Sequence, residues 1–152
     1  MRPVQYASQR HDRLSVIGSL SLSPRRRRIG VHFQVHDENI RAVHVVAYLR
    51  ELHRALRQPL IVVMDRLNAH RTAARRLREA GAQWLHVEWL PAYAPDLNPV
   101  EAIWSHAKYS RLANYVPDDL DRLRDEVINA VGDLHHDNRL KYSFFQTAEL
   151  PL

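Results

Sequence analysis

Hydrophobic and polar residues alternate along two segments near the start of the chain. Leu14–Leu22 reads LSVIGSLSL, and in Ile29–Val35 every second residue is apolar. Alternation with a period of two is typical of a strand with one face in a core. Ser23-Pro24 and the basic run Arg25–Arg28 separate the two segments. The pattern therefore predicts an antiparallel hairpin with a basic turn.

The periodicity then changes to that of helices separated by short apolar runs. One apolar stripe recurs at helical spacing, at Val45, Leu49, Leu52 and Leu56, and Pro59 ends the pattern. Leu60–Met64 is a continuous apolar run, LIVVM, ending at Asp65. Such a run predicts a strand buried on both faces.

The second half of the chain repeats the alternation of helix and strand. The next helix carries Ala73, Leu77 and Ala80, with Gly81 as its C-terminal cap, and a strand follows at Trp84–Trp89. After the proline-rich stretch LPAYAPDLNPVE, one helix starts at Pro99 and a last one at about Pro117. Their predicted inner faces are Val100, Ile103, Trp104 and Ala107, and then Leu120, Leu123, Val127, Val131 and Leu134. An antiparallel pair followed by alternating helices and strands predicts a single α/β domain over residues 1–152, with helices on both faces of its sheet.

Composition narrows the class of partner. The chain has 22 Lys and Arg residues against 17 Asp and Glu residues, a net charge of +5, and nearly all the positive charge is arginine. Arginine suits phosphate oxygens, so a polyanionic partner such as DNA is expected. There is no cysteine, which excludes disulfides and thiolate metal sites. No apolar run is long enough for a membrane span, so we expect a soluble cytoplasmic protein without a membrane partner.

Asp65 is the first residue with candidate chemistry. It ends the most apolar strand, at the strand end where α/β sheets bind ligands. A carboxylate there is costly unless a cation, a metal or hydrogen bonds stabilise its charge. The alternative is a structural role, in which Asp65 accepts hydrogen bonds from the turn and caps the next helix.

Glu101 has two interpretations as well. Asn98 suits an N-cap, Pro99 suits the first helical position, and Glu101 then falls where a capping box has its acid. The other interpretation is a ligand at the mouth of a site. Glu101, Ser105 and Lys108 share one helix face, and a carboxylate beside a lysine suits a metal next to a phosphate.

These residues carry a resemblance to a known family. LIVVMD, then Ala69-His70, then LPAYAPDLNPVEAIW resemble the core of the mariner-like insertion-sequence transposases, a DDE-type group with the pattern LPxYxPxLNPxExxW. Residues 66 to 100 separate Asp65 from Glu101, an interval close to that of the family, and Lys108 follows where the family often has a lysine. The resemblance extends from about Leu14 to the end of the chain.

The resemblance implies a ribonuclease H-like mixed sheet flanked by helices and a triad of acids that hold two Mg²⁺ ions, for which Mn²⁺ can substitute. In that triad Asp65 would be the second acid and Glu101 the third, acting in DNA cleavage and strand transfer. The first acid normally lies on a strand upstream of the hairpin, and no acid precedes Asp12 here. We therefore expect an N-terminally truncated domain without its helix-turn-helix region, either a gene remnant or half of a split reading frame.

Two other hypotheses compete with a transposase core that is incomplete as this chain. One is a non-catalytic DNA-binding or partner-binding remnant, as a homo-oligomer or with a full-length transposase. The other is a structure-specific nuclease on the same fold, against which the LNPVE stretch argues. The residues expected to contact DNA are Arg25, Arg26, Arg27, Arg28, Arg71, Arg75 and Lys108, with Arg78 on the same helix side as Arg71 and Arg75. For each arginine group, a solvated charged surface without a ligand is the competing interpretation.

Overall fold

A computed structural model of the chain describes residues 14–110 and 120–148. Its strands are β1 (Ser15–Leu22), β2 (Ile29–His36), β3 (Leu60–Met64) and β4 (Leu85–Trp89). Its helices are α1 (Ala42–Leu56), α2 (Asn68–Glu79), α3 (Pro99–Ser110), α4 (Leu120–Gly132) and α5 (Asn138–Thr147), with short 3₁₀ helices at Pro95–Leu97 and Asp133–His136. The α/β class is confirmed.

The four strands form two small sheets. β1 and β2 pair antiparallel from Ser15↔His36 to Leu22↔Ile29, which confirms the predicted hairpin. β3 and β4 pair in parallel, from Leu60↔Leu85 to Met64↔Trp89. Among the described residues, neither sheet hydrogen-bonds to the other, so the strands do not form one continuous ladder.

Helices cover both faces of the hairpin. On one face, the hydroxyl of Tyr48 in α1 lies 2.7 Å from Ser19 Oγ and donates to the His32 carbonyl at 3.0 Å. On the opposite face, Val31 joins Ile103 of α3, Val131 of α4 and Phe144 of α5 in one buried cluster. Successive residues of β1 and β2 point to opposite faces, so alternate side chains contact α1 on one face and α3, α4 and α5 on the other.

Among the described residues, helices cover one face of the parallel sheet. Leu60 and Val62 pack against the core formed by α1 and α2, in which Ala73 and Leu77 are fully buried. Ile61 and Val63 on the other face are 75% and 58% exposed. The prediction of a strand buried on both faces is therefore wrong. No described helix covers this side of β3. A continuous apolar run could not predict this, because the pattern is the same whether one face of the strand is buried or both.

Helix ends follow the predicted chemistry in most places. α1 ends at Leu56, ahead of Pro59, and Gly81 has a φ of 76°, the left-handed conformation expected of a C-terminal cap. Ala80 is exposed because α2 ends one residue before it, at Glu79. The predicted start of the last helix at Pro117 lies outside the described residues. None of the described helices is long and apolar enough to cross a membrane.

The C-terminal part of the chain differs from the prediction. The last predicted helix corresponds to α4, which ends at Gly132. A 3₁₀ turn and a further helix that was not predicted, α5, follow it. Asp137 caps α5 by accepting the Leu140 N–H at 2.9 Å. Lys141 of α5 is buried, 4% exposed, and its Nζ donates to the Ile29 carbonyl at 3.0 Å, which anchors α5 to the start of β2.

Candidate functional site

Asp65 directly follows β3, in the short turn that leads into α2. Its Oδ1 accepts the backbone N–H of Leu67 at 3.2 Å, a hydrogen bond within the turn. Leu67, not Asp65, occupies the N-cap position of α2, and no side chain caps that helix end. Of the two structural roles predicted for Asp65, the structure shows the hydrogen bond within the turn but not the capping of the next helix.

His70 is the closest side-chain partner of Asp65. Its Nδ1 lies 2.6 Å from Asp65 Oδ1 and 3.4 Å from the Asp65 carbonyl oxygen. Both neighbours are acceptors, so Nδ1 carries the hydrogen and donates, and in the neutral ring Nε2 keeps its lone pair. The two side chains are 21% exposed (His70) and 40% exposed (Asp65). A carboxylate held in this way keeps one orientation before any ligand binds.

Both hydrogen bonds from described residues fall on the same carboxylate oxygen. Leu67 and His70 both contact Oδ1, which leaves Oδ2 of Asp65 for another partner. Sequence reasoning noted His70 as part of the motif without giving it a role. The information that could have identified it is its position five residues after Asp65, in the first turn of the next helix.

The proline-rich stretch begins at the same sheet edge as Asp65. The Leu90 N–H donates to the Met64 carbonyl at 2.8 Å, and Arg66 Nε donates to the Leu90 carbonyl at 3.2 Å. The parallel register of β3 and β4 brings these carboxyl ends together. Three residues further on, Tyr93 is fully exposed with a φ of 57°, an unusual conformation for a bulky residue.

Glu101 lies in the first turn of α3 and is exposed. Asn98 caps this helix as predicted, because its Oδ1 accepts the Val100 N–H at 3.1 Å. The backbone N–H of Asn98, which the acid of a capping box would accept, donates to the Pro95 carbonyl at 3.0 Å. The 3₁₀ turn thus supplies the bond that the capping-box interpretation assigned to Glu101.

Asp65 has a side-chain partner in the described part of the chain, but no group of potential metal ligands forms there. Asp65 and His70 are paired. Across residues 14–110 and 120–148, no three His, Asp or Glu side chains cluster closely enough to hold a metal ion. Carboxylates are the ligands that Mg²⁺ prefers, but the described residues alone do not assemble a complete metal site.

The arginines that were predicted to contact DNA lie in two places, the hairpin turn and helix α2. Arg25–Arg28 are exposed at the hairpin turn, where Ser23 Oγ accepts the N–H groups of Arg27 and Arg28 at 3.0 Å each. Arg71, Arg75 and Arg78 of α2 line one groove against β4. Lys108 belongs to α3, and its side chain lies outside the described part of the structure.

The protein is of the α/β class. Asp65 and His70 lie at the carboxyl end of the parallel strand β3, and a second carboxylate, Glu101, lies in the first turn of the later helix α3. The family model described as DDE superfamily endonuclease matches residues 1–124, and the chain belongs to that family. No curated protein matches the sequence. Membership indicates transposase-like nuclease function, with DNA as the substrate and divalent metals as the usual cofactor of the family.

Proposed function

We propose that this chain is the catalytic core of an insertion-sequence transposase of the mariner-like type. Its reaction would be metal-dependent cleavage and transfer of DNA strands, with Mg²⁺ as the natural ion and Mn²⁺ as a substitute. The observation that carries the proposal is the oriented carboxylate of Asp65. Oδ1 is held by His70 and by the turn, Oδ2 is available, and the side chain is partly exposed at a ligand-binding strand end.

In this proposal Asp65 and Glu101 are metal ligands. Glu101 is supported by its exposure and by the bond from Asn98 to Pro95, which removes the simplest structural explanation of its side chain. Two carboxylates are fewer than a two-ion site needs. We propose that a further carboxylate, from outside the described residues or from a second chain, completes the site.

DNA would be bound by arginine contacts to phosphates. Arg25–Arg28 on the hairpin turn and Arg71 and Arg75 on α2 are exposed, as such contacts require. Lys108 is proposed as a further contact because it follows Glu101 in the same helix. Binding of this kind has little sequence preference and weakens as salt rises, by about 0.9 in the logarithmic slope for each phosphate contact to duplex DNA.

The test measures metal binding and DNA nicking on the purified chain. Titration of Mn²⁺ should show binding that Asp65→Asn and Glu101→Gln each weaken by about tenfold or more, because changes even to groups that only orient the ligands cost about that much. Glu79→Gln is the matched control, since Glu79 is an exposed acid at the end of α2. Any metal-dependent nicking of supercoiled DNA by the wild type should be lost in the same two variants.

Two results would count against the proposal. Metal binding unchanged in Asp65→Asn and Glu101→Gln would remove both residues from the ligand set. Salt-sensitive DNA binding with no metal binding at all would favour the non-catalytic DNA-binding alternative.

A further inference from the structure

A groove separates helix α2 from the outer edge of strand β4. Its volume is about 600 Å³, and we call it the α2–β4 groove. The residues that could bind a ligand there are Arg71, Arg75 and Arg78 on the helix side and Gln83 and Trp89 on the strand side. We propose that this groove binds one or two nucleotides of a single nucleic-acid strand. The inference rests on the proposed function and names the form in which part of its substrate is held.

The charge of the groove selects an anion. Three arginines and a histidine line it, and none of its lining residues is acidic. Neither Arg75 nor Arg78 forms an ion pair with a described acid, whereas Arg71 donates to Asn68 Oδ1 and keeps its remaining donors. His86 pairs with Glu88 at 2.7 Å, so we assign the histidine no part in binding.

The spacing of the arginines suits a chain of anions more than a single one. Arg71, Arg75 and Arg78 are four and three residues apart, which places them on one side of α2 at intervals of about 6 Å and 4.5 Å along the axis. The row is therefore about 10 Å long. A free phosphate would contact one or two of these side chains, and a strand with successive phosphates would contact all three.

The opposite side of the groove offers an aromatic surface. Trp89, the last residue of β4, packs partly against the main core and keeps part of its ring exposed in the groove. A basic groove with an aromatic side chain on which bases stack is the usual combination in proteins that bind single strands. The volume of the groove lies within the range of sites for small ligands, which suits one or two nucleotides.

The test is a binding measurement on the full chain with a fluorescein-labelled eight-residue oligothymidylate, followed by fluorescence anisotropy. The double variant Arg75→Ala/Arg78→Ala should raise Kd about tenfold. It should also reduce the slope of log K against log salt by about 1.4, because each lost phosphate contact to a single strand removes about 0.7. Arg76→Ala is the matched control. It removes an exposed arginine of the same helix that does not line the groove, and its Kd should equal that of the wild type.

Trp89 provides a second readout. Trp89→Leu should raise Kd about fivefold or more, since stacking of one base contributes at least that factor. Trp89→Phe keeps a ring and should lose less, and circular dichroism of both variants checks that they fold. Binding of the oligonucleotide should quench tryptophan fluorescence in the wild type and less in Trp89→Leu.

Three outcomes would overturn the inference. The first is an unchanged Kd in the double arginine variant, and the second is an equal loss in Arg76→Ala. The third is a polyglutamate peptide that binds as tightly as the oligonucleotide, depends on Arg75 and Arg78, and leaves tryptophan fluorescence unchanged, which would identify an acidic peptide as the ligand. Metal titration separates this inference from the proposed function, because the groove variants leave the carboxylates Asp65 and Glu101 intact.

Discussion

Gly18 of strand β1 packs against the Trp104 ring of helix α3, and its replacement tests how the candidate site is anchored. A Cβ atom at Gly18 would lie 2.7 Å from Cζ2 and 2.8 Å from Cη2 of the Trp104 ring, closer than real Cβ contacts come. Trp104 is three residues after Glu101 in the same helix. The indole ring is rigid, so Gly18→Ala must displace the ring or the helix that carries Glu101.

The magnitude follows from two opposing effects. Inserting a carbon into a packed contact costs about 1–3 kcal/mol, and alanine in place of glycine returns about 0.4–1 kcal/mol by restricting the unfolded chain. The net expectation for Gly18→Ala is a loss of about 1–2 kcal/mol in unfolding free energy, or roughly 2–8 °C in Tm for a chain of this length. Gly132→Ala is the matched control, because Gly132 is helical and a Cβ there meets no atom within 4 Å. It should gain about 0.5–1 kcal/mol.

Urea unfolding followed by tryptophan fluorescence and circular dichroism measures both substitutions. A double variant, Gly18→Ala/Trp104→Phe, removes the two ring atoms in conflict and should recover part of the loss beyond additivity. If Gly18→Ala is as stable as Gly132→Ala, the ring does not press on β1 and the argument that this contact positions α3 fails.

Two further predictions concern buried polar groups. Burial raises the pKa of Tyr48 to about 12 from 10.0. The tyrosine therefore keeps its proton to higher pH in the folded state than in the unfolded state, and the unfolding free energy should fall between pH 10 and 12 by up to about 1.4 kcal/mol per pH unit. Tyr48→Phe should abolish this pH dependence. It should also lower the unfolding free energy near pH 7 by about 1–3 kcal/mol, because the hydroxyl contacts to Ser19 and His32 are lost. Unfolding curves from pH 7 to 12 measure both effects, and an unchanged slope in Tyr48→Phe would contradict the assignment. Lys141→Met should lower the unfolding free energy by about 1–3 kcal/mol because the Ile29 carbonyl loses its buried donor. Arg139→Met is the control, an exposed change in the same helix that should alter the unfolding free energy by no more than about 0.5 kcal/mol. Equal urea midpoints for the two variants would refute this.

The sequence by itself determined the elements whose causes are local. The alternation in Leu14–Leu22 and Ile29–Val35 predicted the hairpin, since a period of two specifies a strand wherever one face is buried. Gly81 and Asn98 predicted helix ends because a left-handed backbone and an N-terminal acceptor depend on single residue types. The motif from Asp65 to Glu101 predicted membership of the DDE superfamily, which the comparison confirmed.

Tertiary structure decided which faces are covered and which side chains meet. Burial of β3 depends on whether a helix lies over Ile61 and Val63, and an apolar run carries no information about that neighbour. Helix α5 was not predicted either, because its buried face includes Lys141 beside Phe144 and Phe145, and a charged residue does not indicate burial.

The candidate sites show the same division. Asp65 could be placed at a strand end from its sequence, but its pairing with His70 depends on the path of the turn between them. The three arginines of α2 could be placed on one side of a helix from their spacing, as periodicity requires. Only packing of α2 beside β4 set Trp89 across from them, because that contact joins elements whose relative position is fixed by the core and not by any local pattern.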